Sequence, residues 1–337
     1  MIKKNVFWSL FIVFAFSVGA CKHPNNQPDV SKSNIKLKVL RFENDLFQSD
    51  FEKIKDSIPF FQKKYGEFFD IFNYKIIQIG NAKNPAYSGL LKGFITDYNM
   101  NKVYNSVNTD FKNFDTITNQ LTDLFKHVKY YFPKLPMPTV ITYVSGFNQS
   151  VITTDTILGI GLDKYLGKSC SYYKRLGLPL FTIANMYKEK IPTDCARAWA
   201  MTQFEMADSA KNLLAHIIYQ GKIAYFTKAM IPNAPDSVVI GLSSSQIEWC
   251  KKNESQIWTY LVENKTLFTS DYMTINKFIG EGPFTKDFGQ YSSPKAVVWV
   301  GWQVINNYME NNQKSSLSDL MVEKNYQNIL RLSKYKP

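Results

Sequence analysis

A chain of 337 residues, 45% hydrophobic and 15% aromatic, has room for one large domain or two small ones and assures a sizeable core. Its formal charge of +12 would suit nucleic acid, but the lysines are scattered and the N-terminal leader addresses the chain for secretion. A nucleic-acid partner is therefore excluded; a solvated basic surface, or one attracted to anionic lipid or glycan, fits better.

Residues 1–20 read as a secretory signal of lipoprotein type. Lys3 and Lys4 form the positive start, Val6 to Val18 are almost wholly apolar, and Val18, Gly19 and Ala20 stand ahead of Cys21. The apolar run falls short of the ~20 residues that a spanning helix needs. Cys21 is then the first mature residue and the lipidation site, and its acyl chains make the membrane a partner. Residues 21–34, which continue KHPNNQPDVSKSN after the cysteine, lack apolar periodicity and read as a lipidated flexible tether. Lys22, in place of Asp, resembles the sorting pattern of outer-membrane lipoproteins. The folded domain is expected over residues 35–337.

Within that body the pattern is mostly helical. Phe51 to Tyr65 and Asp110 to Phe132 carry apolar residues at helical spacing, and Pro133 ends the second. TVITYVSG and SVITTDTILGIGLD, on either side of Gly146-Phe147-Asn148-Gln149, read as a pair of strands joined by a turn. Asp163 ends the second strand, where turn or cap chemistry is its plainest role. Helix resumes with Thr193 or Asp194 as cap and runs into Phe204; Pro232 to Ser237 form a helix-breaking loop. Ser316 and Asp319 have capping-box spacing before the last helices. Once Cys21 is acylated, Cys170, Cys195 and Cys250 remain, so at most one disulfide can form within the chain; Cys170 with Cys195 closes the shorter loop, and buried free thiols are the alternative.

The stretch NLLAHIIYQGKIAYF, Asn212 to Phe226, has the look of a zinc-protease helix. Such a helix presents two histidines at i and i+4 to the metal, with a glutamate between them as general base. Here the order is His216-Ile217-Ile218-Tyr219-Gln220. Ile217 cannot take a proton, and Gln220 is a poor zinc donor. With His23 and His127 far away, a three-histidine site is excluded; no metal and no cofactor are expected. Leu213, Leu214, Ile217, Ile218 and Gly221 form a buried face, Gly221 allowing close approach of another backbone. Gly241-Leu242-Ser243-Ser244-Ser245 lacks the closing glycine of a nucleophile elbow.

The lipoprotein start at Cys21, ILGIGLDKYLG (Ile157 to Gly167), the helix from Asn212 to Phe226, SQIEWCKKNESQIWTYLVENKTLFTSD (Ser245 to Asp271) and SSPKAVVWVGWQVINNYM (Ser292 to Met309) occur in the order of the GldB family, the gliding-motility lipoproteins of Bacteroidetes, which the chain resembles. That resemblance implies an α+β body, mostly helical and zincin-like with a small β-sheet, in which His216 matches the first histidine of HExxH while Ile217 and Gln220 replace the base and second ligand. Ile240 in Ile240-Gly241-Leu242-Ser243 would replace the third ligand. What it implies of function is a non-enzymatic pseudo-metallopeptidase anchored at the outer membrane, serving gliding by binding other envelope components of the gliding or secretion machinery. The alternatives are an atypical zinc-dependent hydrolase using His216, and a module that holds a peptide or glycan in a degenerate cleft of His216, Tyr219 and Gln220.

Overall fold

The computed structural model describes residues 28–209 and 211–337; the signal segment and Cys21 lie outside the described residues. Four short strands, β1 (Val39–Arg41), β2 (Thr139–Tyr143), β3 (Val151–Thr153) and β4 (Ile157–Gly161), form one mixed sheet in the order β1-β2-β4-β3. β1 and β4 both run parallel to β2, and β3 lies antiparallel on the outer edge of β4. The predicted pair of strands is thus corrected. The segment after Ser150 contains two strands turning at Thr154 to Thr156, and the stretch Gly146 to Gln149 leads from β2 to β3, with which β2 does not pair. Val39–Arg41, too short to show a period, completes the sheet from a distant part of the chain.

Alternation along the strands separates two cores. Ile141, Tyr143 and Ile157 face one side, with α1 (Phe42–Phe47), α2 (Ile54–Tyr65), α3 (Glu67–Ile71) and α4 (Tyr87–Thr96). Phe42 sits there edge-on to Phe61, Tyr65, Phe68, Phe69 and Phe72 at 4.7–6.1 Å, each such pair adding about 1 kcal/mol beyond area burial. Beneath Phe42, the buried Glu43 pairs with Arg41 at 2.5 Å and accepts from Thr142 Oγ1 at 2.7 Å, tying α1 to β2. Burial pushes the Glu43 carboxyl above its usual range.

Val140, Leu158 and Ile160 face the larger core. Two helices precede it in sequence, α5 (Tyr98–Asp110) and α6 (Asp115–Tyr131). Asp97 caps α5 through Met100 N, and α5 takes Asp110, so α6 begins later than the apolar spacing predicts. Likewise Phe51–Lys53 form a 3-10 turn ahead of α2, held by Asp50. After the sheet come α7 (Ser171–Arg175), α8 (Leu180–Ile183), α9 (Ile191–Gln203), α10 (Leu213–Met230), α11 (Asp236–Ile240), α12 (Ser244–Glu263), α13 (Tyr272–Ile279), α14 (Ala296–Asn311), α15 (Leu317–Val322) and α16 (Tyr326–Ser333). Thr193 and Asp194 do not cap α9. Its first turn already holds Pro192, and Thr193 Oγ1 donates back to the carbonyl of Lys190 at 2.9 Å. Ser316 and Asp319 do form the predicted capping box. Cys170, Cys195 and Cys250 are free thiols.

α10 runs through the middle of this larger core and is buried on nearly every side. Its closest neighbour is α14: a Cβ added to Gly221 would lie 2.3 Å from the carbonyl oxygen of Gly301, so the two backbones touch. Lys222, the next residue and likewise buried, donates to the carbonyls of Met321 at 3.1 Å and Glu323 at 2.7 Å and so closes the C-terminal end of α15. Burial lowers its ammonium to about 8.

Candidate functional site

The three residues singled out on α10 have different surroundings. Asn212 caps the helix through Ala215 N at 3.0 Å, which fixes where its first turn begins. His216 is half-buried, and burial pulls its imidazole below the ordinary range. Ile217, at the position of a general base, is fully buried, and its carbonyl oxygen would lie 2.2 Å from a Cβ on Gly301. Tyr219 is buried, with Tyr326 and Glu205 nearby; burial pushes its phenol up to about 12. Gln220 points elsewhere in chemistry: its Oε1 accepts a hydrogen bond from Arg197 Nη2 at 2.5 Å. Among the described residues, no three His, Cys, Asp or Glu side chains gather as a metal-ligand set.

Arg197 leads to the polar cleft of the molecule. α9 lies against the edge strand β3, where Thr153 and Thr202 share a hydroxyl hydrogen bond, and it carries Asp194 and Arg197 one turn apart on the same side. Lys190, just before the helix and only 5% exposed, donates to the carbonyl of Val238 at 2.6 Å and pairs with Asp194 at 3.1 Å. Tyr165 donates to the other oxygen of Asp194 at 3.0 Å. From the far wall, Lys295 pairs with Glu281. These groups, with Lys164, line a cavity of about 270 Å³. A second cavity of about 670 Å³ shares Asn185, Gly241, Glu281 and Lys295 with it, so the two form one cleft. Neither is lined by His216, Tyr219 or Gln220.

The cleft is positive. Burial holds both the Arg197 guanidinium and the Lys295 ammonium below their usual ranges, while Glu281 pulls in the other direction on both. One wall is fixed by Asp163. This fully buried carboxylate accepts from Ser145 N at 3.1 Å and Phe147 N at 2.6 Å, which winds the β2–β3 connection around it and places Ser150 and Lys164 at the cavity. Turn chemistry was the plain expectation for Asp163. The sequence reading missed Arg197, Lys190 and Lys295. A signal was present: a charged pair three residues apart in the otherwise apolar run IPTDCARAWAM is out of place on a buried helix unless it is paired or functional.

Fold and cleft together define a helical α+β body with a positively charged cleft. The chain belongs to the gliding motility protein GldB family, whose model matches residues 23–337. Its role therefore lies in gliding motility, and the family is labelled as one of lipoproteins, in keeping with an envelope address. No curated protein and no solved structure matches the chain. Among the described residues no helix is long and apolar enough to cross a membrane.

Proposed function

We propose that the chain is a non-enzymatic lipoprotein, held at the outer membrane through acylated Cys21, which serves gliding motility by binding other envelope components of the gliding or secretion machinery. The observation that carries this reading is the family match across residues 23–337, which takes in every described element. Its test is genetic and biochemical together. Deleting the gene is expected to stop spreading on surfaces without slowing growth, Cys21→Ser to release the body from membranes, and cross-linking of the lipidated protein in its own envelope to join it to other gliding components. Normal spreading of the deletion strain, or Cys21→Ser protein that still pellets and takes up labelled palmitate, overturns it.

The body, on this reading, is a zincin-like fold that has lost its chemistry. Two features support this. Ile217 is pressed against the α14 backbone and offers no base, and Gln220 engages a guanidinium, whose charge opposes a dication at that oxygen. Protein purified without a histidine tag is expected to contain well under one zinc per chain, and zinc or chelator should leave its melting temperature unchanged, because a ligand bound only to the folded state must raise it. One zinc per chain, lost with a hydrolytic activity in His216→Ala, would establish the peptidase instead.

A further inference from the structure

The cleft holds more positive charge than its own carboxylates neutralise. Lys164, Lys190, Arg197 and Lys295 line the smaller cavity, against Asp194 and Glu281. The two acids are taken by Lys190 and Lys295. Arg197 and Lys164 hydrogen-bond to neutral oxygens, Gln220 Oε1 at 2.5 Å for the guanidinium and the carbonyl of Phe147 at 3.2 Å for the ammonium; Asp194 and Glu281 act on Arg197, and Asp163 on Lys164, through charge alone. A cation held this way in a partly buried site keeps most of its attraction for an anion, since a neutral acceptor satisfies a donor without cancelling charge. Arg197 and Lys190 also repel Lys295 across the cavity, a strain that an anion between them would relieve. Gln220 occupies only part of the guanidinium fork, which has five donors in all.

Shape selects among anions. The planar fork of Arg197 matches a planar carboxylate. Phosphate would bring a second negative charge beside Asp194 and Glu281. Beyond the small cavity the cleft widens into about 670 Å³, room for an elongated ligand attached to the anion. Asn185 and Gly241 lie on the path between the two cavities, their own polar groups joined by a 3.1 Å hydrogen bond from Asn185 Nδ2 to the Gly241 carbonyl.

We infer that this cleft takes a carboxylate-bearing peptide segment, with the carboxylate on Arg197 and Lys295 and the adjoining residues in the larger cavity. This rests on the reading that the chain works by binding other proteins, and it gives that binding a site and a chemistry. The carboxylate comes from a chain terminus or an acidic side chain.

The test uses mature protein in detergent and three pools of N-acetylated random hexapeptides. One pool has free C-terminal acids and no Asp or Glu, one has C-terminal amides containing Asp, and one has neutral amides. Peptides retained by the protein are counted by mass spectrometry. One or both anionic pools are expected to be retained about tenfold above the neutral amides, a difference one charge-assisted contact can supply, and whichever pool is retained identifies the source of the carboxylate. Arg197→Gln and Lys295→Gln should each bring retention down to the neutral level with melting temperatures near that of the wild type. If Arg197→Gln does not fold, Lys295→Gln, whose partner Glu281 is 65% exposed, decides alone. Equal retention of all three pools, or anionic retention that survives the substitutions, overturns the inference, as does displacement by inorganic phosphate at lower concentration than by acetate. Envelope cross-links that persist in a Lys295→Gln strain while no pool is preferred would remove this subsite and leave the binding role standing.

Discussion

Gly221→Ala is expected to destabilise the protein by about 2–4 kcal/mol, and Gly301→Ala by a similar amount. The new Cβ at position 221 would stand 2.3 Å from the Gly301 oxygen and 2.4 Å from its carbonyl carbon, and one at position 301 would stand 2.2 Å from the oxygen of Ile217. These are backbone atoms of two buried helices, so no side chain can rotate away. α10 and α14 must separate, which opens the packing of Ile217, Ile218, Val300 and Val304, all fully buried. The roughly 1 kcal/mol that Ala gains over Gly in a helix offsets only part of this. A thermal melt followed by circular dichroism should fall by roughly 5–10 °C. The double variant should lose less than the sum, because either substitution alone already parts the helices. Gly89→Ala, where an added Cβ meets nothing within 4 Å, is the control and should melt at or above the wild-type temperature. A Gly221→Ala protein melting within a degree of the wild type would show that the two helices do not meet in this way.

The close approach at Gly221 was legible in the sequence, because a glycine inside an apolar helical face has few other reasons to be there. Its partner was not: Gly301 lies in a distant apolar helix whose own pattern is complete without it. Some local chemistry was legible, as in the capping box of Ser316 and Asp319, but not all of it: Thr193 and Asp194 do not cap α9, because Pro192 already stands in its first turn. Sheet pairing was not. β1 carries three residues, and its parallel pairing with Thr139–Tyr143 depends on helices folding between them. The turn predicted at Gly146 to Gln149 exists as a change of direction, but a carboxylate from beyond β4 organises it, and no local turn rule includes that group. The cleft was the least legible feature, since Arg197, Lys295 and Lys164 come from three separate segments. A familiar helix motif drew attention to His216, whereas the residue of that motif with a charged partner is Gln220.

Replacing Asp163 by Ala should destabilise the fold by about 3–5 kcal/mol at neutral pH, because it strips acceptors from two backbone N–H groups that water cannot readily reach. The loop they hold is strained without it: Gly146 and Phe147 both have φ of 68°, a conformation that glycine accepts and phenylalanine resists. The pH dependence separates this role from simple loss of packing. Burial raises the Asp163 carboxyl from 3.8 to about 6, against the opposing hydrogen bonds from Phe147 and Ser145. Between those two values the folded state binds more proton than the unfolded chain, so this group's contribution grows as pH falls through about 6 and is smallest above it. The gap between wild type and Asp163→Ala, measured by urea unfolding, should therefore widen by about 2 kcal/mol from pH 7.5 to pH 4.5. A gap that stays constant, or narrows on acidification, would mean that the carboxylate is hydrated in the folded protein. Because the same loop carries Ser150 to the cleft and accepts Lys164 on the carbonyl of Phe147, Asp163→Ala protein that remains folded should also lose its preference for anionic peptides.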